Sequence, residues 1–200
     1  VTAVESTQKY LAVHPYGFDV VTWLTELDAS GVPRYYMDDY SCFAGGNFLL
    51  GGAYLNREDF KTLGLAVTDS CHRMYNTTAS GLNPLGISWY GPNNTAYNPV
   101  YNGDSESAKQ ARSYYENAGG YFPDFNATQA GLYTLYPEPI ESMMYAYRIT
   151  GDTKWQDYNW EVFQAIKNDA DRGNVVVSSL TNVTQPNGGD QYPDVPRYVD

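Results

Sequence analysis

The sequence predicts a mainly helical fold in which paired helices are joined by short strands and long loops. Three observations predict it. Between residues 59 and 74, Phe60, Leu63, Val67, Cys71 and Met74 recur at helical spacing. Residues 136–166, YPEPIESMMYAYRITGDTKWQDYNWEVFQAI, hold two amphipathic helices across a short turn. Residues 82–104 are so rich in Asn, Pro, Gly and Tyr that they read as one long loop. No short internal repeat accompanies these elements, so a toroid of helical hairpins is inferred from the elements alone, in preference to a sandwich or a doubly wound sheet.

In chain order, residues 1–13 read as a helix ended by His14-Pro15, because proline disfavours helix in the residue before it. FDVVTWLTEL, residues 18–27, reads as a short strand. CFAGGNFLLGG turns apolar and small and reads as a helix, although an interior glycine costs about 1 kcal/mol. Close packing of Gly45, Gly46, Gly51 and Gly52 against another backbone is the expected compensation. The helix that follows, closed by Gly81, lies antiparallel to it. Cys42 at the start of one and Cys71 near the end of the other can then meet at one end of the hairpin, in a geometry that permits a disulfide. SESAKQARSYYENAG forms a short helix, and after Ile166 a turn leads to a short strand at residues 175–179.

Two hundred residues suffice for one domain with a sizeable core. The chain starts without methionine and with a helix already in progress, so a piece of a longer protein is expected. A net charge of −11, with 12 Lys and Arg, argues against nucleic acid as a partner, since phosphate binding is driven by basic side chains. No apolar run of spanning length occurs, and no membrane contact is expected of this stretch. Twenty tyrosines suit a cleft that stacks on sugars, or equally a tyrosine-rich extracellular surface. Sequons at Asn76, Asn93, Asn126 and Asn182 are surface glycan acceptors if the chain passes through a secretory pathway, where two cysteines would pair.

Chemistry concentrates at Glu138 and Glu141. Three residues apart at the start of a helix, they occupy neighbouring positions and can address one cavity. Acidic residues in a first helical turn are also favoured by the helix dipole with no catalytic role. His14 and His72 are too isolated to suggest a metal site, and no Ser-His-Asp set can be assembled from them.

AVESTQKYLA, CFAGGNFLLGG, CHRMYNTTASGLNP and PEPIESMMYAYRITGDTKWQDYNWEVFQAI resemble, in order, successive stretches of glycoside hydrolase family 47, the class I α-1,2-mannosidases. The resemblance implies that residues 1–200 are part of a single catalytic domain with its N- and C-terminal portions missing. The implied fold is an (αα)7 barrel with calcium at the floor of its cavity. The implied activity is inverting removal of terminal α-1,2-mannose from high-mannose N-glycans, in the ER or Golgi lumen or outside the cell. Cys42 and Cys71 fall where that family has its disulfide. Glu138 falls on the glutamate of the family's Arg-Pro-Glu motif, a carboxylate of the catalytic machinery. Glu141 matches a neighbour lining the calcium and sugar site, within reach of the ion only through water. The direct calcium ligand and the first acid are expected outside this stretch.

Three positions depart from the family pattern. Tyr136 replaces the arginine before Pro-Glu, Asp39 stands where a histidine is typical, and Leu85 takes the place of another active-site glutamate. Tyr136 and Asp39 keep their place at the sugar site in this reading. The retained Glu138 and Glu141 point to an enzyme, and the departures to a degraded member that binds mannose glycans. A different helical-barrel glycosidase, or a plain helical scaffold with acidic caps, is the third reading. By itself this stretch is expected to be inactive and, with apolar helix faces uncovered, poorly soluble.

Overall fold

The computed structural model describes residues 1–125, 131–171 and 177–189. Six helices run through them: α1 (Thr2–Tyr10), α2 (Phe43–Leu55), α3 (Glu58–Asn76), α4 (Glu106–Ala118), α5 (Glu138–Thr150) and α6 (Lys154–Ala165). The strands are β1 (Ala12–Val13), β2 (Trp23–Leu24), β3 (Tyr36–Asp38), β4 (Gly86–Ser88) and β5 (Phe122–Pro123).

The helix ends follow local chemistry. Ser105 caps α4 by accepting from the Ala108 amide at 3.1 Å. Gly119 and Gly151, both with positive φ, close α4 and α5. Asn56 takes the left-handed conformation (φ 54°) between α2 and α3, and Arg57 then ties the corner to Asp59 and to Glu5 of α1. Beyond α6 the chain widens into a π-helical turn, Ile166–Ala170, in which the Asp171 amide donates to the Ile166 carbonyl at 2.9 Å.

α2 is the centre of the packing, flanked by α3 and α5, and α6 pairs with α5. Its glycines explain the closeness. A Cβ on Gly45 would sit 2.3 Å from Thr68 Oγ1, one on Gly52 2.9 Å from the Arg57 carbonyl, and one on Gly46 2.8 Å from the Tyr145 ring and 3.2 Å from the Ser142 backbone. Gly51 differs, with nothing within 4 Å. The expected compensation therefore holds at three of the four positions. Gly46→Ala should destabilise the whole protein by about 1–3 kcal/mol through overpacking. Gly51→Ala should stabilise it by about 0.5–1 kcal/mol. Denaturant midpoints of the two variants measure the contrast, and shifts of the same sign would contradict this packing.

Several expectations need correction. α1 ends at Tyr10, not at His14, because Ala12 and Val13 leave the helix to pair with Leu24 and Trp23. Only Trp23 and Leu24 of residues 18–27 are strand. The long loop is also not free of regular structure: β4 lies inside it, between β3 and β5 in an antiparallel sheet, and Pro99–Tyr101 makes a 3-10 turn. Of the strand expected at 175–179, residues 175 and 176 lie outside the described residues, and Val177 bridges Asp171.

Much of the aromatic load is core. Tyr75, Tyr90, Tyr101, Tyr115, Tyr121 and Tyr133 are fully buried, as are Trp23, Trp89 and Trp155. One cluster gathers Trp23, Trp89, Tyr90, Tyr115 and Phe122 around the sheet, and a second gathers Leu49, Tyr75, Tyr133, Met143 and Trp155 between the helices. Some hydroxyls of this core find backbone partners: Tyr115 donates to the Tyr16 carbonyl at 2.6 Å and Tyr90 to the Tyr101 carbonyl at 3.1 Å. Met144, Trp160 and Phe163 remain exposed on α5 and α6. No helix among the described residues is long and apolar enough to cross a membrane.

Candidate active site

Asp39 is placed by the small sheet. β3 pairs with β4 in the register Asp38 to Gly86, and one residue on, the Asp39 amide donates to the Leu85 carbonyl at 2.9 Å. The chain then turns through a 3-10 helix, Asp39–Cys42, whose end is bonded to α3 by the Cys42–Cys71 disulfide. Both cysteines are buried, with Cα atoms 6.1 Å apart, so the hairpin geometry expected for them is realised.

Glu138 is placed by α5. Buried Ser142 donates to the Cys42 carbonyl at 2.7 Å and accepts from the Gly46 amide at 2.9 Å, clamping α5 onto the turn and onto α2. Glu138 lies four residues before Ser142 and therefore on the same helix face. With Cys42 held at Ser142, the start of the turn comes beside the start of α5. Asp39 and Glu138 accordingly repel each other.

Asp39 is 1% exposed. Asn83, wholly buried, donates through Nδ2 to Asp39 Oδ2 at 2.8 Å. Burial raises the Asp39 carboxyl to about 8; the Asn83 bond opposes that rise and the Glu138 charge adds to it. Four polar atoms in this neighbourhood, Asp39 Oδ1, Asn83 Oδ1, Glu138 Oε2 and Tyr75 Oη, are buried with no hydrogen-bond partner among the described residues. Unpaired buried polar groups are costly and cluster where function needs them. The Tyr75 hydroxyl is pushed far up by burial and by Tyr133, Asp39 and Glu138.

An aromatic rim adjoins this acid pair. Tyr136 meets Tyr40 edge-on, with ring centroids 5.9 Å apart. The Tyr40 hydroxyl donates to Asp38 Oδ2 at 2.6 Å, and Tyr36 donates to the other oxygen of Asp38. Before Tyr136, Leu135 is held at φ 64°, a conformation that costs a non-glycine residue about 1–3 kcal/mol and tends to mark functional sites. The strain sits in the turn that delivers Tyr136 and Glu138.

Not every expected residue joins the group. Glu141 is bonded instead by the Tyr145 hydroxyl, which that charge holds above its ordinary range. Leu85 contributes its carbonyl to Asp39. A cleft of about 590 Å³ between α5 and α6, lined by Met144, Tyr147, Trp155 and Trp160, contains none of these residues. His72 is structural: buried, stacked on Tyr158 with centroids 3.5 Å apart and bonded to Glu161 at 3.2 Å. Asn76 and Asn93 are exposed, Asn182 is half-buried with Oδ1 taken by Thr184, and Asn126 lies outside the described residues.

Asn83, Tyr75 and Ser142 were missed by sequence reasoning. Asn83 stands inside the quoted GLNP segment, and an amide next to a proline in a glycine-bounded turn was the available signal. Among the described residues no three His, Cys, Asp or Glu side chains converge as metal ligands. The described residues do not by themselves make up a calcium site.

Residues 1–194 match the model of glycosyl hydrolase family 47. The chain is 37% identical over 192 residues to mannosyl-oligosaccharide α-1,2-mannosidase 1B of Aspergillus phoenicis, covering 96% of this chain and 33% of that one. It is 38% identical over 194 residues to a probable mannosyl-oligosaccharide α-1,2-mannosidase 1B of Aspergillus clavatus, covering 96% and 34%. The chain thus spans about a third of the length of these relatives. The solved α-1,2-mannosidase from Trichoderma reesei superposes with a TM-score of 0.80 at 34% identity, over 94% of this chain and 36% of that one. The hairpins packed around α2 are therefore part of an (αα)7 barrel, as expected. With the matched model, the aligned relatives and the superposed barrel agreeing along nearly its whole length, the chain belongs to glycosyl hydrolase family 47.

Proposed function

We propose that the whole protein is a mannosyl-oligosaccharide α-1,2-mannosidase that removes terminal α-1,2-linked mannose from high-mannose N-glycans with inversion, in a calcium-dependent manner. Residues 1–200 are part of its single catalytic domain, and Glu138 is one of its catalytic carboxyls. The observation that carries this reading is the unpaired Glu138 Oε2 at the start of α5, beside a buried acid and a buried amide. An inverting glycosidase needs one carboxylate to activate water and a second acid to protonate the leaving oxygen, about 6.5–9.5 Å apart. Glu138 supplies one of them. The burial of Asp39 keeps it from a glycosidic oxygen, so the second acid belongs to the remainder of the barrel.

Tyr136 and Tyr40 give the sugar an aromatic edge with hydroxyl groups, in place of the fixed charge of an arginine. Glu141 orders the sugar side of α5 through Tyr145. The secretory pathway or the cell exterior is the proposed location, supported by the disulfide and by exposed sequon asparagines at 76 and 93. The test is mannose release from a high-mannose oligosaccharide by the full-length protein, with and without a calcium chelator. Release that the chelator abolishes is expected. Glycan binding with no release would replace the enzyme by a glycan-binding protein.

A further inference from the structure

The chemistry of Asp39 differs from that of an ordinary active-site carboxylate. Its Oδ2 has a donor in Asn83, while its Oδ1 has no partner among the described residues in a place that water does not reach. The titratable groups around it are Asp38, its chain neighbour at the end of β3, Glu138 from α5, Tyr75 from α3 and Tyr133 from the segment before α5. All of these are acids. Asp38 is already taken by the hydroxyls of Tyr36 and Tyr40. The one hydroxyl of this group without a partner among the described residues, that of Tyr75, can serve a single acceptor, whereas Asp39 Oδ1, Asn83 Oδ1 and Glu138 Oε2 all lack a donor, so the neighbourhood is short of donors. A protonated Asp39 supplies the missing O–H, whereas an ionised one adds a further unpaired charge.

We propose that Asp39 is carried as the neutral carboxylic acid and acts as a positioning residue, its Oδ1–H donated toward Glu138 Oε2, directly or across one trapped water. Glu138 is then held by one oxygen and turns its other oxygen to the substrate. The raised Asp39 carboxyl agrees with this arrangement. The catalytic consequence rests on the mannosidase reading above; the protonation state does not.

Asp39→Asn and Asp39→Ala in the full-length protein separate the two. Asparagine keeps the size, the neutrality and a donor. Its mannose release should stay within about threefold of wild type near pH 6, without the alkaline fall in kcat/KM expected of wild type around pH 8. Alanine should lower kcat about 10- to 100-fold with little change in KM, because it leaves Glu138 unheld. An alkaline limb unchanged in Asp39→Asn, or a hundredfold loss near pH 6 with melting unchanged, would overturn the proposal.

A second arm needs no activity. The folded carboxyl lies above its unfolded value of 3.8, so its stabilising contribution is complete below that pH and is lost as pH rises to about 8. Wild type should therefore lose melting temperature relative to Asp39→Asn across that interval and run parallel above it. Infrared difference spectra of wild type between about pH 6 and pH 9 should show one protonated carboxyl lost, a range in which an ordinary carboxyl is already ionised. Absence of that band change would overturn the proposal even in an active enzyme. A protein with the band but no mannose release would instead defeat the mannosidase reading alone.

Discussion

Glu138→Gln in the full-length protein should lower mannose release by about 10²- to 10⁴-fold, the range that a positioned acid or base contributes, while glycan affinity stays close to wild type. The substitution keeps the side chain's length and its place at the start of α5 but removes the capacity to take a proton. Stability should not fall. The amide oxygen that takes the place of Glu138 Oε2 can accept the same Asp39 O–H, so the melting temperature should stay close to that of wild type. A variant inactive only because it is unfolded would show the opposite. Glu141→Gln is expected to cost less, since Glu141 is engaged by Tyr145 rather than by the Asp39 group.

Loss of the Cys42–Cys71 bond should have the largest effect on stability. It closes a loop of 29 residues, for which chain entropy alone gives about 3–4 kcal/mol. The cross-link is buried and joins the turn that begins at Asp39 to α3. The turn would then depend on Ser142, the Asn83–Asp39 bond and the short sheet. A Cys42→Ala, Cys71→Ala double variant should therefore unfold at markedly lower denaturant and lose activity before it unfolds. A midpoint shift worth less than about 1 kcal/mol would contradict that role.

The helices were legible because their determinants are local. Spacing marked α3, Ser105 and Gly119 bracket α4, and Gly151 ends α5 where the pattern breaks. The strands were not, since two- and three-residue strands carry no period and exist only through partners far along the chain. β4, inside the stretch that reads as loop, pairs with β3 about fifty residues earlier in the chain. The tyrosines misled for a related reason: a ring with a polar edge suits a sugar cleft and suits a core equally well when a distant carbonyl accepts its hydroxyl, as Tyr16 does for Tyr115.

At the candidate site, Glu138 was legible from the motif around it. The Asp39–Asn83 bond, spanning 44 residues, was not. Nor was the left-handed Leu135, since nothing in a leucine announces a positive φ. What sequence presented as a pair, Glu138 with Glu141, the fold divides between Asp39 and Tyr145.

Time-resolved proton NMR of a high-mannose oligosaccharide incubated with the full-length protein tests the central claim most directly, because one spectrum reports both release and stereochemistry. Release of mannose that appears first as the β-anomer, and is lost in Glu138→Gln, is the predicted result. First appearance of the α-anomer, or no mannose while the glycan remains bound, would contradict it.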